Sequence, residues 1–289
     1  MILVVGATGR LGGLIARRLL ADGRAVRILV RAQSDYADLV DLGAQPVFAD
    51  LKEPATVRAA CAGVDTVVTT ANAVERGGSD TIDSVDRQGN RDLIDAAEAS
   101  GVRRFVFVSV LGADAASPVP LVRAKAETEQ HLAASTMAWT VLQPNLCMDT
   151  WLPMAIGGPA LAGAPVTLVG EGRRLHSMVA MADVASYALA VLDRDEAHGE
   201  RVVIGGPRPV TWHDAVAAFE QALGHEIPVR VAAPGEGVPG MPDEVVGLFH
   251  SLEHYDSPLD MTATSAAYGV TPTSLSDFVA GFVAALRTS

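Results

Sequence analysis

The chain has 289 residues with a formal net charge of −12, and 49% of them are apolar. This length and apolar content allow a large buried core and suit one big α/β unit with a smaller appendage. The acidic charge argues against a nucleic-acid-binding surface. The two cysteines, Cys61 and Cys147, form no paired motif and no metal-ligand spacing. We therefore expect a reduced cytoplasmic protein without a metal site.

The first element is a short apolar run, Ile2–Val5, which breaks into three glycines before apolar residues recur at helical spacing over 11–20. This pattern predicts a strand, a tight turn and a helix that together bind a dinucleotide. Gly6 permits the turn, Gly9 lets the backbone approach a pyrophosphate, and Gly12 allows close packing of the helix on the strand. The phosphate charge then rests on the helix N-terminus. An ordinary turn is the alternative, and the apolar run is too short for a signal peptide.

The second apolar run, 25–30, ends at Arg31, about twenty residues past the glycines, where an acidic residue would bind the ribose hydroxyls of NAD. A carboxylate there would repel the 2′-phosphate of NADP, whereas a guanidinium can pair with it through two hydrogen bonds. Arg31 therefore predicts NADP(H) as the cofactor. Arg10, on the glycine turn, can supply a second positive group. The alternative for Arg31 is a solvated loop charge.

Strand-like runs follow at 46–49, 65–70, 104–109 and 139–142, with helical runs between them. This alternation predicts an α/β fold with a Rossmann-like, doubly wound parallel sheet, whose ligand lies beyond the carboxyl ends of the strands. The predicted cofactor site therefore adds Thr8, Leu11, Asp50, Leu51, Thr70, Ala71, Asn72, Pro144 and Asn145. Asp50 can equally be only the N-cap of the helix that Pro54 helps to start.

The glycine turn is the first of several loose motifs whose order and spacing can be compared with known families. The others are Val30-Arg31, 49–51, 89–97, 101–109, Lys125, Glu127, 139–144 and 181–185. Together they resemble the atypical short-chain dehydrogenases of the NmrA-like group, over about the first 205 residues. That group includes NAD(P)H-dependent quinone reductases, isoflavone-reductase-like enzymes, and redox-sensing regulators that bind NADP without turnover.

The resemblance also indicates where catalytic residues should lie. Classical members of the larger superfamily carry a Tyr four residues before a Lys, and the corresponding residues here are Leu121 and Lys125. Lys125 resembles the lysine that holds the nicotinamide ribose, and we expect it to face the cofactor and not the core; a solvated lysine on an amphipathic helix is the alternative. Ser109 lies where the superfamily has its catalytic serine, and without the Tyr only a hydrogen-bonding role is implied. Pro144 and Asn145 would place backbone groups against the nicotinamide carboxamide.

The stretch 150–170 contains no ionisable side chain. Its prolines and glycines exclude a membrane-spanning helix and predict an irregular apolar flap. Trp151 and Met154 are expected to wall a substrate pocket, with ordinary packing of a short helix as the alternative. Asn145 and His176 are candidates for polar contact with substrate, although a lone histidine is more often structural.

These observations predict an NADPH-dependent oxidoreductase acting on a small, uncharged, aromatic or conjugated acceptor such as a quinone. Quinones take a hydride and then a proton from solvent, so the missing Tyr counts less against them than against ketones. The alternative is a non-catalytic NADP(H) sensor that binds a partner protein. We place an NADP-binding domain at 1–150 and a smaller α/β substrate-binding part at 151–289, with about 177–205 returning to the main sheet. No nucleic acid or membrane partner is expected. A homodimer is compatible with the sequence.

Overall fold

Strands and helices alternate from the first residues of the computed structural model, which describes residues 1–74, 76–233, 236–241 and 243–287. The strands are β1 (Ile2–Val5), β2 (Val26–Val30), β3 (Gln45–Phe48), β4 (Thr66–Thr69), β5 (Arg104–Val108), β6 (Ala138–Pro144), β7 (Val166–Val169), β8 (Glu200–Ile204) and β9 (Val229–Ala232). The α-helices are α1 (Arg10–Ala21), α2 (Ala37–Asp41), α3 (Pro54–Cys61), α4 (Asn90–Ala99), α5 (Pro120–Ala133), α6 (Met148–Leu152), α7 (Gly158–Leu161), α8 (Met181–Leu192), α9 (Trp212–Leu223), α10 (Asp243–Ser251), α11 (Thr262–Tyr268) and α12 (Leu275–Arg287). Ile82–Gly89 and Pro153–Gly157 are π-helical, and Asp195–Ala197 and Leu252–His254 are 3₁₀ turns.

The main sheet has seven strands in the order β3-β2-β1-β4-β5-β6-β8. The pairings from β3 to β6 are parallel, and Ile2 of β1 lies opposite Val26 on one side and Thr66 on the other. Strand β1 is buried along its whole length, as its continuous apolar sequence requires in a sheet covered on both faces. The strand order reverses between β1 and β4, so the predicted doubly wound, Rossmann-like sheet is confirmed.

The chain divides into two units. The first comprises residues 1–144 and 184–203, and the second comprises 145–183 and the residues from 204 onward. The bounds predicted from the sequence were 150, 177 and 205. The first unit contains the main sheet, whose core includes Leu3, Val67 and Phe105. The second contains the two-stranded sheet of β7 and β9 and its own core around Trp212 and Phe219. A substrate-binding role for the second unit stays a prediction.

The expectation that the uncharged stretch 150–170 is irregular is wrong. It forms the end of α6, a π-helical turn, α7 and β7. Pro153 is the first residue of the π-helical turn and Pro159 the second residue of α7, so both prolines lie next to a junction between helical segments and not inside one regular α-helix. Gly157 is tightly packed, since a Cβ there would lie 3.1 Å from the Phe282 ring. Among the described helices, none is long and apolar enough to cross a bilayer.

Candidate functional site

The three glycines of the N-terminal motif make the turn between β1 and α1. Gly6 has φ +86°, a conformation that other residues rarely adopt, and its carbonyl accepts a hydrogen bond of 2.9 Å from the Gly9 N–H. A Cβ on Gly12 would lie only 2.2 Å from the Gly6 oxygen. The backbone therefore requires glycine at both positions. The N-terminus of α1 follows directly, with no side-chain cap at Gly9, and the partial positive charge of a helix N-terminus suits an anion.

A cleft adjoins this turn at the carboxyl ends of the strands. It brings together six of the residues predicted to bind the cofactor: Gly6, Thr8, Arg31, Asp50, Leu51 and Ala71. Its lining also includes Leu29, Ser34, Ala49, Arg76, Asp80 and Val85, which the sequence analysis did not identify. Apolar walls, a helix N-terminus and basic groups fit a dinucleotide that carries phosphates. The remaining predicted residues of the turn, Gly9, Arg10, Leu11 and Gly12, lie beside the cleft in the turn or the first turn of α1.

A cluster of charged residues lies at one part of the cleft, and Asp80 is at its centre. Nη1 of Arg31 donates to the Asp80 carboxylate at 2.7 Å, and Nζ of Lys52 also donates to it. Nη1 of Arg76 lies 3.7 Å from the same carboxylate. The side chain of Asp80 is only 6% exposed. Arg31 is thus an ion-paired residue at the cleft and not a solvated loop charge.

Burial alone would raise the pKa of Asp80. The hydrogen bonds from Lys52 and Arg31, and the positive charges of both, outweigh burial and hold that pKa below its usual range. Asp80 is therefore ionised at neutral pH. The structure thus adds Lys52, Arg76 and Asp80 to the Arg31 and Asp50 that the sequence predicted at the cofactor site.

Asp50 lines the cleft and is not the N-cap of α3. Its carboxylate accepts a hydrogen bond of 2.9 Å from the Lys52 N–H, and Glu53 occupies the N-cap position. Pro54 takes the first helical position, as the sequence predicted. Asp50 therefore shapes the loop that carries Lys52 to the cluster.

The loop after β4, whose residues 70–72 were predicted to bind the cofactor, is held by two buried polar residues that were not predicted from the sequence. The Asp86 carboxylate accepts a hydrogen bond of 2.9 Å from the Ala73 N–H. The Asn90 amide donates to the Ala71 carbonyl at 3.3 Å, and both side chains are fully buried. Within this loop Thr70 is half-buried and Asn72 is exposed. Their contact with cofactor stays a prediction.

Lys125 lies in the core, so the expectation that it faces away from the core is wrong, while its contact with the cofactor stays a prediction. Its side chain is only 4% exposed, and Nζ lies 3.1 Å from the carboxylate of Asp86. Nζ also lies 5.0 Å from the centre of the Phe107 ring. The physical reason is the buried carboxylate of Asp86, which compensates the lysine charge inside the unit. A solvated lysine, the alternative in the sequence analysis, is also wrong.

Ser109 follows β5, as the sequence predicted, and is 3% exposed. Its N–H donates to the Leu142 carbonyl at 2.8 Å. The hydroxyl has no hydrogen-bond partner among the described residues. A buried hydroxyl is stabilised by a hydrogen-bond partner, and the contact of Ser109 with a ligand stays a prediction.

The predicted substrate residues all belong to the second unit, in which Asn145 and His176 are joined through Ser257. The Ser257 hydroxyl donates to Oδ1 of Asn145 at 3.1 Å and lies 2.8 Å from Nδ1 of His176, which therefore donates to it. Burial lowers the pKa of His176, so the ring is neutral at physiological pH. Both residues are buried and hold backbone segments together. Their contact with substrate stays a prediction.

Trp151 and Met154 belong to the hydrophobic core of the second unit. Trp151 is 6% exposed and packs on two aromatic rings, with centroid distances of 6.4 Å to Trp212 and 5.7 Å to Phe249. Met154 is partly buried against the same cluster. These are the contacts of packing residues, the alternative that the sequence left open. A pocket-wall role for either residue stays a prediction.

A family model described as NAD(P)H-binding matches residues 6–195 of the chain. An NAD(P)H azoreductase from Xenophilus azovorans is 33% identical over 233 residues, which cover 81% of this chain and 77% of that protein. Photosystem II assembly factor Ycf39 from Synechocystis is 33% identical over 229 residues, covering 78% of this chain and 68% of the other. A longer relative from Arabidopsis thaliana is 34% identical over 239 residues, and the alignment spans 58% of its length.

Among solved structures, the NADPH-dependent quinone oxidoreductase QOR2 of Escherichia coli, complexed with NADPH, has a TM-score of 0.81 and 23% sequence identity. The match covers 98% of this chain and 99% of that one. At this identity the likeness establishes the fold alone. It agrees with the Rossmann-like fold of the main sheet.

Proposed function

Because this chain belongs to the NAD(P)H-binding family, we propose that it is an NADPH-dependent oxidoreductase that reduces a small, uncharged, conjugated acceptor such as a quinone. The cleft beside the glycine turn, with Arg31 at the end of β2, is the observation that carries this proposal. The azoreductase relative supports a reductase of conjugated bonds. When bound, NADPH supplies the hydride.

The residues of this chain would bind and orient the reactants. The N-terminus of α1 would hold the pyrophosphate, and Arg31 would pair with the 2′-phosphate. The Ser109 hydroxyl would donate a hydrogen bond to a polar group of cofactor or acceptor. No tyrosine precedes Lys125 at the spacing of the classical enzymes. An acceptor whose reduced form takes its proton from water therefore fits this site better than a ketone.

The proposal is tested by measuring NADPH oxidation with a panel of quinones, azo dyes, enones, imines and ketones, in parallel with NADPH binding by calorimetry. We expect turnover with quinones or azo compounds and none with simple ketones. Reactions without protein provide the background rate for each acceptor. If NADPH binds but no acceptor increases its oxidation, the enzymatic proposal is refuted.

A non-catalytic NADP(H)-binding regulator is the second candidate. It is favoured by the relative named as a photosystem II assembly factor and by the ion-paired burial of Lys125. Such a protein would bind NADPH and associate with a partner protein without turnover. Binding without oxidation of NADPH by any acceptor in the panel is therefore the result that supports it.

The preference for NADPH should depend on Arg31. A hydrogen bond to a charged group contributes roughly 1.5–3 kcal/mol, so Arg31→Ala should weaken NADPH binding about tenfold to a hundredfold. Binding of NADH, which lacks the 2′-phosphate, should change little. Calorimetric titration of both cofactors measures the effect.

Arg58→Ala is the matched control, because it removes the same charge from an exposed position of α3 outside the cleft lining. It should leave both affinities unchanged. Two results would show that Arg31 does not bind the 2′-phosphate. One is equal affinity of the parent protein for NADPH and NADH, and the other is an Arg31→Ala variant that keeps the full preference for NADPH.

A further inference from the structure

Three cationic side chains from separate loops of the first unit converge on the Asp80 carboxylate. Arg31 follows β2, Lys52 follows β3, and Arg76 lies in the loop between β4 and the π-helical turn. Arg31 donates to Oδ2 at 2.7 Å, Lys52 donates to Oδ1, and Nη1 of Arg76 lies 3.7 Å from Oδ2. Both carboxylate oxygens are therefore engaged by cations. This is the arrangement that the oxygens of a phosphate would make with the same three groups.

Asp80 is held at this place by its own loop. Its N–H donates to the Gly77 carbonyl at 3.3 Å, and Gly77 and Gly78 both have positive φ. The neighbouring Ser79 hydroxyl accepts a hydrogen bond of 3.0 Å from Lys52. The carboxylate is thus positioned by the backbone and lies in the lining of the cleft, where it meets any ligand of Arg31.

The charges of this cluster determine how it interacts with the 2′-phosphate of NADPH. A second carboxylate, that of Asp50, lies 3.7 Å from Nζ of Lys52. Three cations with two carboxylates leave a net positive charge, which attracts a dianion. The phosphate and the Asp80 carboxylate nevertheless need the same donors, and two anions at hydrogen-bonding distance of one guanidinium repel each other. A 2′-hydroxyl carries no charge and meets no such competition.

We propose that Asp80 is a specificity-determining residue: it is an internal counter-ion that competes with the 2′-phosphate for Arg31, Lys52 and Arg76, and so limits the preference for NADPH over NADH. Between binding events it keeps the three cations together at the cleft. This inference rests on the proposed contact of Arg31 with the 2′-phosphate.

The test is Asp80→Asn, which keeps the size of the side chain and removes its charge. Calorimetry should show NADPH and adenosine 2′-monophosphate binding about tenfold more tightly, since the competing charge–charge contact is lost. The affinities for NADH and adenosine should stay within about twofold of the parent's, because neither carries the 2′-phosphate. Asp83→Asn is the control, since it removes the same charge from an exposed side chain of the adjacent π-helical turn.

Lys52→Gln provides a second, independent measurement if Asp80→Asn fails to fold. The Lys52 side chain is 25% exposed, and its loss should weaken NADPH and adenosine 2′-monophosphate binding several-fold while leaving NADH unaffected. Unchanged or weaker NADPH binding by Asp80→Asn would overturn the inference. A Lys52→Gln variant that binds NADPH and adenosine 2′-monophosphate as tightly as the parent would overturn it too. Weaker NADH binding by Asp80→Asn would instead assign Asp80 to the ribose hydroxyls.

These outcomes are distinct from failure of the proposed function, because they are read as binding and not as turnover. If Arg31→Ala weakens NADPH but Asp80→Asn has no effect, only the inference about Asp80 fails. If Arg31→Ala leaves both cofactors unaffected, the underlying assignment of the 2′-phosphate site fails.

Discussion

Replacing Lys125 by methionine is expected to lower the free energy of unfolding by about 3–5 kcal/mol, because it leaves the Asp86 carboxylate buried without its counter-charge. Asp86 is fully buried, and its other contact, with the Ala73 N–H, does not neutralise it. Methionine has nearly the shape of the lysine stem, so that the loss of charge dominates the effect. Chemical denaturation followed by circular dichroism measures the difference.

Gln130→Met is the control for this variant, since Gln130 is exposed on the same helix and its substitution should change stability by less than about 0.5 kcal/mol. The double variant Lys125→Met/Asp86→Asn should recover part of the lost stability, because it removes both charges while an amide oxygen can still accept from Ala73. A Lys125→Met protein with parental stability and greatly reduced turnover would contradict this view. It would support the predicted role of Lys125 at the cofactor.

The fold followed from local patterns because those patterns report burial directly. The run Ile2–Val5 has the length and composition of a strand covered on both faces, and the spacing of Gly6 and Gly12 reflects two close backbone contacts. Each of these signals lies within one strand, turn and helix. The order of strands then follows from the few connections that a parallel sheet allows.

The site was predicted only in part because its charges are matched across long sequence separations. Arg31 could be found from its place after β2, but its partner Asp80 lies 49 residues further along the chain. The local sequence likewise predicts that Lys125 lies on a helix. No residue near Lys125 in the sequence indicates that it is buried together with Asp86 as an ion pair. A sequence pattern shows on which element a side chain lies. It does not show which charge from another loop it meets.

Trp151→Ala is expected to lower the free energy of unfolding by about 3–5 kcal/mol, the usual cost of truncating a large buried aromatic side chain. Trp151 is 6% exposed, and its ring packs against Trp212 and Phe249. Its removal leaves a cavity inside the core of the second unit, which neighbouring aromatic rings can fill only partly. Thermal and chemical unfolding measure this loss.

Leu161→Ala tests whether the effect comes from core packing, because Leu161 lies in the same uncharged stretch but is 49% exposed and should cost far less. Hydrogen exchange across 150–165 provides the second measurement. If the stretch is a packing element, its amides should be equally protected from exchange with and without NADP⁺ and an acceptor analogue. Ligand binding should not change the packing of a core that is already formed. A Trp151→Ala protein of parental stability, with a raised KM for aromatic acceptors and ligand-dependent protection, would instead establish the stretch as a wall of the substrate pocket.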